Sequence, residues 1–295
     1  MKFIYILAAL CTLATASYAQ QPNADSTKTT VQDNDTIRIG SIIIIKRNKK
    51  SASKDSSLIV ETITTIKKNK KRSTNYIVID AGFANWTDIT NYANTGNVVV
   101  NRPGTPAFSE ADLKLRAGKS ANINVWLFMQ KLALVKTNVN LKYGFGVEWV
   151  NYNFRSTVSF KEGGKLPNGS NVSTNTPFIF RDSISFSKNK LNLKYLTVPL
   201  MINFAANKIK AKRAPSASIG VSAGYLIRQR NKQISSERGK QKNQGDYDLQ
   251  KFKLSYIGEL GIGPIRLYGS YTPKSIFEKS MDIRPYTIGF RFSNW

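Results

Sequence analysis

The chain has 295 residues, with 44 lysines and arginines against 18 acidic residues, a formal charge of +26, no histidine and one cysteine. That cysteine, Cys11, falls inside an N-terminal stretch that reads as a removable export signal. The remainder therefore has no residues for a Cys/His metal site, a disulfide, a cysteine nucleophile or a Ser-His-Asp triad, so neither a cofactor nor a metal is expected, and His-dependent lipases, deacylases and proteases fall away.

The ordinary reading of so basic a chain is nucleic-acid binding. Export argues against it, because basic surface outside the cytoplasm meets lipopolysaccharide phosphates, anionic glycans and anionic headgroups instead. In chain order, Lys2 supplies a positive start, Phe3 to Ala14 a short apolar run, and Ser17-Tyr18-Ala19 small residues around an expected cleavage after Ala19. The run is too diluted by Thr12, Thr15 and Ser17 to supply the roughly 20 apolar residues of a membrane-spanning helix. Leu10 before Cys11 also speaks against a lipoprotein signal. Residues 20–38 have the composition of a flexible linker. Residues 39–75 hold a repeat, Ile45-Lys46-Arg47-Asn48-Lys49-Lys50 echoed by Ile66-Lys67-Lys68-Asn69-Lys70-Lys71, each copy closing a β-branched run. This predicts short β-hairpins with basic turns, or else a solvated linker.

From Tyr76 the pattern becomes strict alternation. Val139, Leu141, Tyr143, Phe145 and Val147 alternate with Asn140, Lys142, Gly144, Gly146 and Glu148, and the same two-faced pattern returns over Ala217–Ile227 and Tyr286–Phe292. One face suits hydrocarbon. The other is too polar for the dry core of a sandwich and suits a barrel lumen. No apolar stretch makes a spanning helix, and a membrane protein without one must be a closed barrel. The pattern predicts eight strands, over 76–85, 120–133, 137–152, 190–204, 215–229, 251–261, 264–272 and 284–293. A phase slip is expected in the fourth, near Leu196–Pro199, where the apolar phase changes from Leu191, Leu193 and Tyr195 to Val198, Leu200, Ile202 and Phe204. Connections alternate broadly between long and short, as in a barrel with both termini in the periplasm. Trp86, Tyr92, Trp149, Tyr152 and Tyr195 form the expected girdle at the long-loop interface, with Phe204, Phe292 and Trp295 at the other.

The expected fold is therefore all-β: an eight-stranded antiparallel up-and-down transmembrane β-barrel of a bacterial outer membrane over 76–295, preceded by a short basic periplasmic extension that is β-rich or flexible. The last strand carries an amphipathic aromatic ending, with Phe290, Phe292 and Trp295, that resembles the C-terminal signal read by barrel assembly machinery. Four segments, Ile79–Trp86, Leu141–Glu148, Tyr195–Leu200 and Gly220–Tyr225, together resemble the PorT-like outer membrane protein β-barrel domain family of Bacteroidota-type envelopes. The resemblance implies an eight-stranded outer-membrane barrel and a part in secretion or envelope assembly, and carries over no catalytic residue.

Three groups are candidate sites. On the lumen face lie Asp80, Lys142, Glu148, Glu259, Arg266 and Arg291, with Lys194, Arg228, Lys251 and Lys253. These form either an ion path or, better suited to so narrow a barrel, paired charges that fill it. Glu148 and Glu259 are expected to pair with Arg266, Arg291 or Lys142. A predicted outer loop holds Arg228, Arg230, Lys232, Arg238, Lys240 and Lys242, suited to lipopolysaccharide phosphates or an acidic polysaccharide, or simply a solvated loop. The third group is the basic repeat, Lys46, Arg47, Lys49, Lys50, Lys67, Lys68, Lys70 and Lys71, a candidate contact for peptidoglycan or an envelope protein. Asp88, Glu110 and Asp112 have no spacing that supports a cation site. The function expected is a non-enzymatic barrel acting in envelope structure, adhesion or recognition, with an accessory role in secretion or assembly as the alternative. A small pore is disfavoured by strand number, and a His-independent enzyme would need an arrangement of Lys, Tyr or carboxylates that the sequence does not display.

Overall fold

The computed structural model describes residues 36–39, 42–45, 62–65, 72–135, 138–170, 172–206, 215–262, 265–279 and 281–293. The chain divides into two compact units, Met1–Lys68 and Asn69–Trp295. In the first, the strands Thr36–Ile39, Ile42–Ile45 and Thr62–Thr65 form a three-stranded antiparallel sheet. Thr36, Ile37 and Arg38, expected in a flexible linker, are thus strand residues, consistent with the β-branched character of Thr36-Ile37. The export signal, the basic repeat residues from Lys46 to Lys50 and Lys67 to Lys71, and Trp295 lie outside the described residues.

The second unit is a barrel of eight strands: β1 (Arg72–Asp88), β2 (Ala121–Val135), β3 (Val139–Asn153), β4 (Lys188–Ala205), β5 (Pro215–Ser235), β6 (Phe252–Ile262), β7 (Ile265–Tyr271) and β8 (Ile283–Phe292). Each pairs antiparallel with its neighbours in sequence, and β8 returns to β1 through Ile283↔Asp88 to Phe292↔Ile79, so the ring closes without a free edge. Closure matters physically. In hydrocarbon every backbone N–H and C=O must be satisfied within the protein, and a closed sheet does this where an open one cannot. At the seam Gly82 faces Gly289, and a Cβ at either position would collide with backbone of the other strand. Absence of side chains there is what lets β1 and β8 approach.

Alternation assigns the faces. Ile202, Phe204, Ile219, Leu254, Leu260 and Phe290 point outward and are exposed, while Asp80, Lys142, Asn203, Glu259 and Arg291 point inward and are buried. The outward apolar run on β5 from Ala217 to Ile227 matches the roughly 9–11 tilted residues that cross a bilayer core.

The expected phase slip in β4 does not occur. Its burial alternates without interruption from Lys188 to Ala205, so Leu191, Leu193 and Tyr195 face inward together with Thr197, Met201 and Asn203. What changes is the interior, apolar at the long-loop end and polar below. The bulge sits instead in β5, where Lys194 pairs with Arg228 and Tyr195 with Leu226, leaving Ile227 extra. The long loops also fold. Val99–Val100, Phe178–Arg181 and Val158–Lys161 form a three-stranded sheet. The predicted loop 230–250 is largely strand, because β5 runs on to Ser235 and pairs with a returning strand, Gly239–Gln244.

Candidate functional site

The interior has two zones. At the long-loop end, barrel residues Ala84, Trp86, Val150, Tyr152, Leu191, Leu193, Tyr195 and Leu226 pack with loop residues that include Phe108, Leu113, Phe154, Phe160, Ile179 and Tyr247 into one apolar core. Trp86 stacks on Tyr152 at 4.5 Å and on Phe154 at 5.7 Å, and its indole N–H donates to the Leu113 carbonyl at 3.2 Å. Trp86, Tyr152 and Tyr195 are therefore not members of an interfacial girdle. They are buried within the mouth, and Tyr92 packs partly buried against the same core. Trp149 does lie on the outward phase, under the Lys194 ammonium at 4.7 Å. Burial pushes the Tyr247 hydroxyl up to about 12 and, together with Asp88, raises that of Tyr92 well above the usual phenol range. Arg181 grips Asp112 with two bonds of 2.6 and 2.7 Å, tying the strand Phe178–Arg181 to the short helix Glu110–Leu113. Asp112 is thus engaged by a cation of the protein, and no group of acidic residues able to hold a metal ion is found among the described residues.

Below the mouth the lumen is filled with charge. Glu259 receives Lys142 Nζ at 2.8 and 2.6 Å, Arg266 Nη1 at 3.0 Å and Arg291 Nη1 at 2.7 Å. Arg291 also forks onto Asp80 at 2.6 and 2.7 Å. Asp80 additionally accepts from Trp126 Nε1 at 2.7 Å and Asn124 Nδ2 at 3.0 Å. Lone charges in such a place would be too costly to bury, and fully hydrogen-bonded pairs are the form in which they persist. Glu259 meets all three cations expected of it. Glu148 does not: it pairs with Lys253 at 2.7 Å and accepts from Asn122 at 3.3 Å. Lys253 is the residue whose height on β6 matches Glu148 on β3. The remaining cavity here is about 30 Å³, bordered by Asn124, Trp126, Thr197, Ser222, Ser255 and Arg291 among others, with room for a water or two.

Three residues expected in the lumen are elsewhere. Lys194 and Arg228 lie on the outward phase and Lys251 is exposed, since the uninterrupted alternation of β4 and the bulge of β5 carry the first two to the outer face. Arg228, Arg230, Lys232, Lys240 and Lys242, expected on a loop, stand on the outward face of β5 and its returning strand, with Arg228 donating to Gln244 at 3.0 Å. Arg238 leaves this set and pairs with Asp182 at 2.9 Å. Two members were missed: Lys188 and Lys190 on β4 point to the same outer face, and Lys190 sits directly opposite Lys232. Their Lys-Asn-Lys alternation was a signal, unused because the strand was expected to begin at 190. Phe290 and Phe292 both face outward and are exposed.

A closed ring of eight antiparallel strands, apolar outside and packed with paired polar groups within, defines a β-barrel membrane protein. The family described as outer membrane protein beta-barrel domain matches residues 88–277, and the chain belongs to it, which places it in the bacterial outer membrane. The match begins at the last residue of β1 and ends before β8, so the two strands that close the ring lie almost wholly outside it. The chain shows no match to a curated protein.

Proposed function

We propose that this protein is a non-conducting, non-enzymatic barrel that acts in envelope structure or recognition through its long-loop end, with that end at the cell surface and both termini in the periplasm. The observation that carries this reading is the double filling of the lumen, a charge network around Glu259 and an aromatic core in the mouth. Eight strands leave an interior just wide enough for side chains, and here the side chains occupy it. The loops that cover the mouth are held by packing and by the Arg181–Asp112 pair, which suits a binding surface of fixed shape. Absence of histidine supports the non-enzymatic part.

Reconstitution in planar bilayers tests it: no steady conductance is expected, and a persistent open step would refute the sealed lumen. The PorT-like resemblance favours a second reading, an accessory of secretion or envelope assembly. It makes a separate demand, that deleting residues 20–71, which stops short of β1, leaves insertion intact and abolishes capture of an envelope partner or peptidoglycan.

A further inference from the structure

Just beyond the apolar band, the outer faces of β4, β5 and the Gly239–Gln244 strand carry a lattice of cations set by strand register. Lys194 lies opposite Arg228; one row further Asn192, Arg230 and Gln244 align; in the next, Lys190, Lys232 and Lys242 stand side by side. Lys188 and Lys240 complete the far edge, flanking Ile234. Among the described residues none of these cations forms an ion pair with a carboxylate, although Arg238 and Lys253 nearby do.

Like charges placed directly opposite across strands destabilise a sheet. Partial burial and the neighbouring Lys188 and Lys232 hold the Lys190 amine below the ordinary lysine range, and burial with Lys188, Lys240, Lys242 and Arg230 does the same to Lys232. Packing does not require this repulsion, since the side chains point away from both interior zones. Neighbouring strands are about 4.8 Å apart and successive outward residues about 6.7 Å, so a group the size of a phosphate fits among four of these cations at once.

We propose that this lattice is a docking site for the phosphorylated sugar headgroup of a lipopolysaccharide-type glycolipid. Position selects that source of phosphate. The cations begin one register beyond Leu196 and Ile227, where the continuous apolar outward runs of β4 and β5 end, and beside Trp149 and the Tyr225–Phe252 ring pair at 5.0 Å, so acyl chains along the band bring a headgroup to this height. The site deepens the reading of the long-loop end as the surface end, and rests on that orientation for its supply of ligand.

The test uses the full chain in detergent micelles, titrated with a bisphosphorylated, acylated glucosamine disaccharide and with the same molecule dephosphorylated, bound copies being counted by native mass spectrometry. Only the phosphorylated form should bind. Each cation facing an anionic surface contributes about fivefold before salt screening, so the Lys190→Gln/Lys232→Gln/Lys242→Gln variant should lose about tenfold or more in affinity. A control of equal charge loss, Lys161→Gln/Lys165→Gln/Lys279→Gln, should change it by less than about twofold. Equal losses in the two variants, equal binding of the dephosphorylated form, or displacement by inorganic phosphate or a soluble acidic polysaccharide at matched concentration would each overturn the site. Orientation is read separately, by a membrane-impermeant maleimide on a Lys240→Cys variant in intact cells. Labelling only after disruption would overturn the surface orientation and the glycolipid source with it. A failed titration alongside surface labelling would overturn the docking site alone.

Discussion

Glu259→Gln is the most direct probe of the lumen. The substitution keeps the shape and removes the charge on which Lys142, Arg266 and Arg291 converge, with contacts of 2.6 to 3.0 Å in a side chain 1% exposed. The three cations do not suffer equally. Arg291 keeps its fork on Asp80, and Arg266 keeps the hydroxyls of Ser293 and Ser216, both at 2.9 Å. Lys142 loses the carboxylate that holds it, in a side chain 0% exposed. Removing one partner of a buried pair costs about 3–5 kcal/mol, and with Arg291 and Arg266 keeping their other acceptors the loss should be about 3–4 kcal/mol. Against a typical total of roughly 5–15 kcal/mol that is a large fraction. Urea titration of the barrel in micelles, following the folded band on unheated gels, measures it. Glu259→Gln/Lys142→Met deletes one charge of each sign and should recover about 2 kcal/mol of the loss. A single-variant cost under about 1 kcal/mol, or a double variant as damaging as the two single changes added, would refute the claim that the network is a coupled unit.

The other expectations follow from particular positions. Gly289→Val puts a side chain against the backbone of Ala81 and Gly82 and should cost roughly 1–3 kcal/mol or prevent closure, seen as loss of the heat-modifiable folded band; an unchanged band would remove the steric argument for the seam. Leu193→Asp and Lys194→Asp test the phase of β4: the first buries a charge in the mouth core and should lower stability by several kcal/mol, the second alters only the outer face, and the reverse order would mean that the strand is turned over. Arg181→Gln should free the loops from Asp112 without affecting the barrel, read as proteolysis within 99–115 while the strands stay protected. Burial raises the Asp248 carboxyl above its ordinary range, so its contribution to stability is complete below the unfolded value near 3.8 and is lost as pH rises through the raised one. Asp248→Asn, whose side chain tolerates the φ of 61° at this turn, should keep the fold and flatten that pH dependence of the thermal midpoint.

How far the sequence could be read depended on whether the two faces of a strand meet different surroundings. β3 was transparent over Val139 to Val147, where lipid lies on one side and a polar lumen on the other. It stopped being so at Val150 and Tyr152, and β4 was opaque at Leu191, Leu193 and Tyr195, because a dry protein interior and a lipid tail select the same side chains. The phase slip inferred there was the only way to keep all apolar residues outward, and the folded loops supply the other solution. Pairing at long range was legible only in part. Glu259 and its cations were identifiable as buried charge, but the match of Glu148 to Lys253, 105 residues away, depends on relative heights of β3 and β6 that strand boundaries uncertain by two or three residues do not determine. The Val99–Val100 to Phe178–Arg181 pairing joins two loops in parallel and leaves no periodic trace. Arg230, Lys232, Lys240 and Lys242 were noticed as a basic run, yet their arrangement in rows with Lys188 and Lys190 exists only once the returning strand sets the register.

Both zones of the interior are saturated in their own terms, one by apolar contact and the other by charge pairing, and each opposes alteration for a different reason. A change of volume at Trp86 or Phe160 opens a cavity in a packed core, whereas a change of charge at Asp80 or Glu259 strands a buried ion. Little of the lumen is then free to vary with a ligand. The outer cations stand in contrast: they are unpaired with carboxylates, mutually repelling and unneeded by the packing of either zone. Repulsion that contributes nothing to the fold is relieved by an anion from outside, which is why the docking site is proposed on the wall of the barrel and not in its lumen.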